Sequence, residues 1–146
     1  MPLPRNAPGY EEDFVAWLED QARRARRGET DNLDLENIAE ELEGLARSDH
    51  EIASPMTVLL MHLLKCRFQP KRRSRSWLGT IIEQRQQIAR LIAYGPSLRA
   101  FPASILDECY TDARRRAVVD TGLTLATFPE HCPFAIEEVL DPEWLP

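Results

Sequence analysis

Residues 35–67 read LENIAEELEGLARSDHEIASPMTVLLMHLLKCR and carry the strongest pattern in the chain. Apolar side chains recur here every three or four residues, the spacing that places them on one face of an α-helix. They form two rows with a seven-residue period: Leu35, Leu42, Met56 and Leu63 on one, and Ile38, Leu45, Ile52, Leu59 and Cys66 on the other. The pattern therefore predicts a helical protein built around this stretch.

Pro55 interrupts the stretch without changing the phase of either row. A proline inside a helix costs about 3 kcal/mol and kinks it, and Ser-Pro is also typical of the start of a new helix. Because the phase is unchanged, we expect one long, kinked helix from residue 35 to about residue 67. The segments before and after Pro55 should then run in nearly the same direction.

Further helices are predicted on both sides of the long one. Gly28 is a natural stop for a first helix, and Asp34 is a suitable N-cap for the long helix. The expected ranges are 11–27 for the first helix, 74–94 for the third, 97–121 for the fourth and 133–140 for a short last helix.

Together these helices predict an all-α fold, an antiparallel bundle of four main helices with a short C-terminal helical clasp. We expect residues 1–9 to be a flexible N-terminal lead and residues 10–146 to be a single helical-bundle domain. The sequence leaves the oligomeric state open.

Charge is segregated along the chain, whose formal net charge is −6. Residues 11–51 hold 14 acids and 5 Arg, residues 52–101 hold 9 Lys or Arg and one acid, and residues 102–146 hold 9 acids and 3 Arg. The positive extreme is residues 65–77, which we name the basic corner. Its cations are Lys65, Arg67, Lys71, Arg72, Arg73 and Arg75.

Three interpretations of the basic corner are open. The acids of residues 11–51 could neutralise it within the bundle, which the adjacency of the two segments favours. It could instead bind an acidic protein partner, or a polyanion such as nucleic acid, with Phe68 or Trp77 stacking on a base. A pI of about 5.1 weighs against a dedicated nucleic-acid binder. We expect Trp77 to be a core anchor, and Lys71, Arg72 and Arg75 to be unpaired.

No membrane span is predicted. The longest uncharged run, Ile52 to Leu64, has 13 residues, whereas a span needs about 20 apolar residues. The Pro-rich start of the chain lacks the apolar core of a signal peptide. The three cysteines form no CxxC pair, which favours reduced thiols in a cytoplasmic protein.

Catalytic signatures are weak. No Glu-x-x-His motif accompanies the acids of the long helix, so no metal or cofactor is predicted. Asp49 and His62 are interpreted as structural polar residues of the core, with Asp49 paired to an arginine such as Arg85. The sequence favours a non-catalytic macromolecular interaction module that uses the basic corner. The alternatives are a hydrolase using carboxylates of the long helix with Arg67 or Arg73 as an anion clamp, and a nucleic-acid-binding protein.

Several segments together resemble a bacterial family known as domain of unknown function 29. The resemblance extends from residue 10 to about residue 141 and implies a small helical bacterial protein, with no activity to carry over. Pro55 departs from the family pattern, as does Cys66, where members tend to carry a large aromatic residue. The similar segments are Tyr10–Leu18, Leu35–Glu43, His62–Lys65, Gln69-Pro70, Arg73-Ser74, Ser76-Trp77, Pro96–Leu98 and Phe128–Glu130.

Overall fold

The predicted all-α fold class is confirmed. The computed structural model describes residues 8–46 and 50–146 and contains no strand within them. The chain groups into two compact units, Met1–Arg47 and Ser48–Pro146, so the single domain expected from the sequence stays a prediction. The helices are α1 (Phe14–Arg26), α2 (Leu35–Ala46), α3 (His50–Phe68), α4 (Arg75–Ile92), α5 (Phe101–Thr121) and α6 (Ile136–Leu140).

The first unit is a pair of helices whose ends are set by capping residues. The Asp13 carboxylate accepts a hydrogen bond from the Ala16 backbone N–H at 3.0 Å, so α1 begins after Asp13 rather than at residue 11. Gly28 follows α1 with a φ of 73°, a left-handed conformation that glycine adopts without a steric penalty. Asp34 caps α2 as predicted, at 3.5 Å from the Asn37 N–H.

Asp34 also ties α1 to α2. Its carboxylate accepts hydrogen bonds from the Trp17 indole at 3.1 Å and from the Asn37 side chain at 2.8 Å. The Asp34 N–H donates to the Gln21 side chain at 2.8 Å. The hydrogen bond from Asn37 is the main reason that the pKa of Asp34 is lowered. A second tie joins the Tyr10 hydroxyl to Glu41.

The second unit is built around α3, which packs against both α4 and α5. The short connection through the Pro70–Arg72 turn folds α4 back antiparallel to α3. In contrast, α5 runs parallel to α3, because Cys109 lies beside Ala53 and Asp120 lies beside Lys65. The fully buried residues of α3 are Ile52, Met56, Leu59, Leu60, Leu63, Leu64 and Cys66.

α3 runs through Pro55 without a break, as the unchanged phase of its apolar rows predicts. The single helix predicted from residue 35 to about residue 67 is described as two helices, α2 and α3; residues 47–49, which would join them, lie outside the described residues. Asp49 lies there too, so its role as a structural polar residue stays a prediction. Arg85, the partner expected for Asp49, donates to backbone carbonyls at the end of α6, as described below.

α5 begins later than the sequence suggested. Residues Pro96–Leu98 form a separate short turn, and α5 starts at Phe101. Pro102 explains the shift: it has no N–H to donate, which is tolerated in the first turn of a helix but not farther along. A helix beginning at residue 97 would have placed Pro102 beyond its first turn.

The segment after Gly122 forms the predicted C-terminal clasp and is held largely through its backbone. The Arg114 guanidinium donates to the Phe128 carbonyl at 2.9 Å, and the Tyr110 hydroxyl donates to the Pro129 carbonyl at 2.5 Å. Farther along, buried Arg85 donates to the carbonyls of Val139 at 2.8 Å and Glu138 at 3.3 Å, near the end of α6. Three side chains of this segment enter the core: Phe128, Phe134 and Val139.

Candidate functional site

The basic corner forms where α3 ends and α4 begins. Pro70 starts a short turn that ends at Arg72. The Ser74 hydroxyl then accepts a hydrogen bond from the Trp77 backbone N–H at 3.2 Å and caps α4. The corner is therefore a short connection fixed by a helix at each end.

Lys65 is the buried cation of the corner. Its ammonium group pairs with the Asp120 carboxylate of α5 and lies 4.3 Å from the centroid of the Trp77 ring. Burying a lone ammonium group costs several kcal/mol, and the carboxylate and ring offset part of that cost. Lys65 therefore links α3, α4 and α5, and Trp77 packs against the core as expected.

Arg73 is held by backbone carbonyls and Arg67 lies against an aromatic ring. The Arg73 guanidinium donates to the carbonyls of Cys66 at 3.3 Å and Pro146 at 2.5 Å. The guanidinium carbon of Arg67 lies 5.8 Å from the centroid of the Phe134 ring. Both arginines therefore join the corner to the C-terminal segment.

The other three cations are exposed, as is Arg67. Lys71 and Arg72 lie on the turn and Arg75 is the first residue of α4. Within residues 50–146, none of the three forms an ion pair. Pairing of the corner arginines with acids of residues 11–51 stays a prediction, as does the hydrolase alternative.

His62 is half-buried on α3, close to Lys65. Its Nδ1 lies 2.8 Å from the Val58 carbonyl oxygen, a hydrogen bond within the helix. Burial is the main cause of the lowered pKa of its imidazole, and the charge of Lys65 adds to it. The neutral form is therefore favoured near neutral pH, which suits the structural role expected of His62.

The thiols are not activated. Burial is the main reason that the pKa values of Cys66, Cys109 and Cys132 are all raised. They are therefore protonated near neutral pH, whereas a nucleophilic cysteine needs a lowered pKa. Among the described residues, no three His, Cys, Asp or Glu side chains are grouped so that they could hold a metal ion.

A cavity of about 460 Å³ between α3 and α5 was not predicted from the sequence. Thr57 contributes to its α3 side, and Glu108, Asp112 and Arg116 line its α5 side. The charged residues are four positions apart, and this spacing places them on one helix face. That spacing predicts a charged face of α5, but it does not by itself predict a cavity.

Comparison with known proteins identifies the family. The model of the family described as domain of unknown function DUF29 matches residues 10–145. The chain belongs to this family. The resemblance noted in the sequence is therefore confirmed, and the DUF29 description names no activity. No curated protein and no solved structure matches the chain.

No helix in the described part of this DUF29 chain is long and apolar enough to cross a membrane. The longest of them, α5, has 21 residues and carries charged side chains on several turns.

Proposed function

We propose that this chain is a non-catalytic interaction module whose basic corner binds an acidic surface of a partner protein. The observation that supports this most directly is the set of exposed cations at Lys71, Arg72 and Arg75, which form no ion pair within residues 50–146. Three like charges on so short a connection repel one another. A partner that carries negative charge relieves the repulsion.

The geometry of the corner holds its exposed cations in a fixed arrangement, which favours binding more than a flexible loop would. The Pro70–Arg72 turn is short, and α4 starts directly after the Ser74 cap. The positive end of the helix dipole of α4 lies at the same place and adds to the attraction for carboxylates. Because Lys65 and Arg73 are engaged within the second unit, they support the corner while the exposed cations face outward.

A protein partner fits better than single-stranded nucleic acid, because nucleic-acid binding of this kind uses open aromatic faces. The Trp77 ring is half-buried beside Lys65. Phe68 is half-buried and meets the Phe128 ring edge-to-face, with centroids 5.4 Å apart. Neither aromatic residue presents an unobstructed stacking surface.

The test compares two triple charge reversals of equal size. One variant carries Lys71→Glu, Arg72→Glu and Arg75→Glu, and the control carries Arg90→Glu, Arg99→Glu and Arg115→Glu, which are also exposed. Binding of a fluorescein-labelled poly-glutamate peptide is followed by anisotropy over a range of salt concentrations. We expect the wild type and the control to bind, and the corner variant to bind about tenfold more weakly or worse.

Three results would contradict the proposal. Equal losses in both variants would mean that only total charge matters. Tighter binding of a single-stranded oligonucleotide of matched charge would favour nucleic acid. A lower midpoint of urea unfolding in the corner variant alone would mean that its cations are neutralised within the folded chain, although exposed pairs contribute only about 0–1 kcal/mol each.

A further inference from the structure

Helix α2 has an apolar face that the described residues of the first unit do not cover. Leu35, Leu42 and Leu45 are exposed by 65%, 62% and 72%, and no residue of α2 is fully buried. A helix of 12 residues is marginal in water unless its apolar face packs against something. An exposed apolar face of this kind is a candidate interaction site.

The apolar face of α2 forms one side of an open groove, and α1 forms the other. The groove has a volume of about 260 Å³, and its walls include Trp17, Leu18 and Ala22 from α1 and Ile38, Leu42 and Leu45 from α2. The hydrogen bonds of Asp34 and the tie between Tyr10 and Glu41 join the two walls. The groove is therefore formed before anything binds, which lowers the entropic cost of binding.

The charged side chains around the groove determine which kind of segment can bind there. Residues 35–46 contain four glutamates and no cation. Glu41 lines the groove itself. Positions 36 and 43 lie two helical turns apart on the same side of α2. Glu36 and Glu43 therefore border the apolar face of α2 on the side opposite Glu41. An apolar occupant with cationic flanks complements this arrangement, whereas an acidic one is repelled.

We infer that the groove between α1 and α2 binds an amphipathic helix of a partner protein whose apolar stripe is flanked by Lys or Arg. This mode of recognition places apolar residues at positions i, i+3 or i+4, and i+7 into a groove. The apolar side chains enter between Trp17 and Leu42, and the cationic flanks meet the glutamates of α2. Pairing of this face with a second copy would bring two acidic walls together, which the same charges disfavour.

The test uses two designed peptides that share one apolar stripe. Each has about 18 residues, roughly five helical turns; one has Lys at every flanking position and the other has Glu. Anisotropy of the labelled peptides is measured with the full chain carrying Lys71→Gln, Arg72→Gln and Arg75→Gln, so that the Glu peptide cannot bind to these exposed cations of the basic corner. We expect the Lys peptide to bind at least about tenfold more tightly than the Glu peptide, a difference of about 1.4 kcal/mol.

Matched variants locate the binding surface. Leu42→Asp with Leu45→Asp should weaken binding of the Lys peptide about tenfold or more. Ile82→Asp with Val119→Asp changes two exposed apolar residues of the second unit in the same way and should leave binding unchanged. Glu36→Gln with Glu43→Gln should weaken binding, and the control Glu137→Gln with Glu143→Gln should not.

Several results would overturn the inference. Equal binding by the Leu42/Leu45 variant would place the peptide elsewhere. An oligomer of the wild type that this variant dissociates, measured by light scattering, would make a second copy the occupant. A markedly lower urea midpoint of the variant would mean that the face is already buried in the isolated chain. Each result is independent of the basic corner, because the chain used with both peptides lacks the exposed cations Lys71, Arg72 and Arg75 of the corner.

Discussion

Helices α2 and α3 carry the same apolar rows but differ completely in burial. Leu42 and Leu63 belong to one row, yet Leu42 is 62% exposed and Leu63 is fully buried. Leu45 and Leu59 show the same contrast on the other row. The seven-residue period therefore indicates which side of a helix is apolar, and it does not indicate whether anything covers that side.

The residues that lie between the apolar rows account for the difference in burial between α2 and α3. In α3 the intervening positions include Leu60 and Leu64, so the helix is apolar around most of its circumference and packs between α4 and α5. A helix that is apolar all round belongs in a core. In α2 the intervening positions include four glutamates, so only one face of the helix can enter an apolar interface.

The largest effect should come from truncating the same row in the two helices. Leu63→Ala is expected to lower the free energy of unfolding by about 2–5 kcal/mol, because it leaves a cavity in a fully packed core. Leu42→Ala should change it by no more than about 0.5 kcal/mol, as is usual for an exposed position. Urea unfolding followed by circular dichroism measures both.

Similar losses from the two truncations would contradict the comparison, because Leu42 would then be as buried as Leu63. A large loss of unfolding free energy from Leu42→Ala and a small one from Leu63→Ala would mean that Leu42, and not Leu63, is the buried residue. Ile82→Ala, at another exposed apolar position, gives the baseline for a surface truncation.

The second prediction compares how much charged side chains of the two regions contribute to the free energy of unfolding: the pair of Lys65 and Asp120, and Glu40 on α2. Asp120→Asn leaves the buried Lys65 ammonium without its carboxylate, and we expect a loss of about 1–3 kcal/mol, since Asp120 itself is partly exposed and water can replace it in part. Lys65→Met removes the charge together with its desolvation cost, so it should cost less than Asp120→Asn. Glu40→Gln on exposed α2 should have almost no effect. An equal loss from Lys65→Met and Asp120→Asn would show that packing, not the unpaired charge, sets the cost.

These contrasts show what could be predicted from the sequence. The helices, the cap at Asp34 and the continuation of α3 through Pro55 follow from local periodicity and capping chemistry, which depend on neighbours in the chain. The pairing of Lys65 with Asp120 and the hydrogen bonds of Arg85 to α6 join residues far apart in sequence. No local pattern specifies such pairs, so neither contact was predicted from the sequence.

The smallest effect is a dependence of stability on pH through His62. Its pKa is lowered in the folded chain, so protonation is less favourable there than in the unfolded chain. Its contribution to stability is then fully present above about pH 6.5, the pKa of an unperturbed histidine, and is lost as the pH falls through the folded pKa. The wild type should lose more stability than His62→Gln between about pH 7 and pH 5. If the stability of the wild type and that of His62→Gln change equally with pH, the imidazole of His62 is as accessible to water as the exposed side chains of α2.

The backbone attachments of the C-terminal clasp join residues that are far apart in sequence, so they can form only after the clasp has been synthesised. Arg85 contacts Val139 across 54 positions of sequence, and Arg73 contacts Pro146 across 73. A nascent chain that has been synthesised only as far as Gly122 has all of α3, α4 and α5 but lacks Phe128, Phe134 and Val139, which complete their shared core. Such a chain exposes apolar surface while translation continues, and surfaces of that kind are where chaperones bind and aggregation begins.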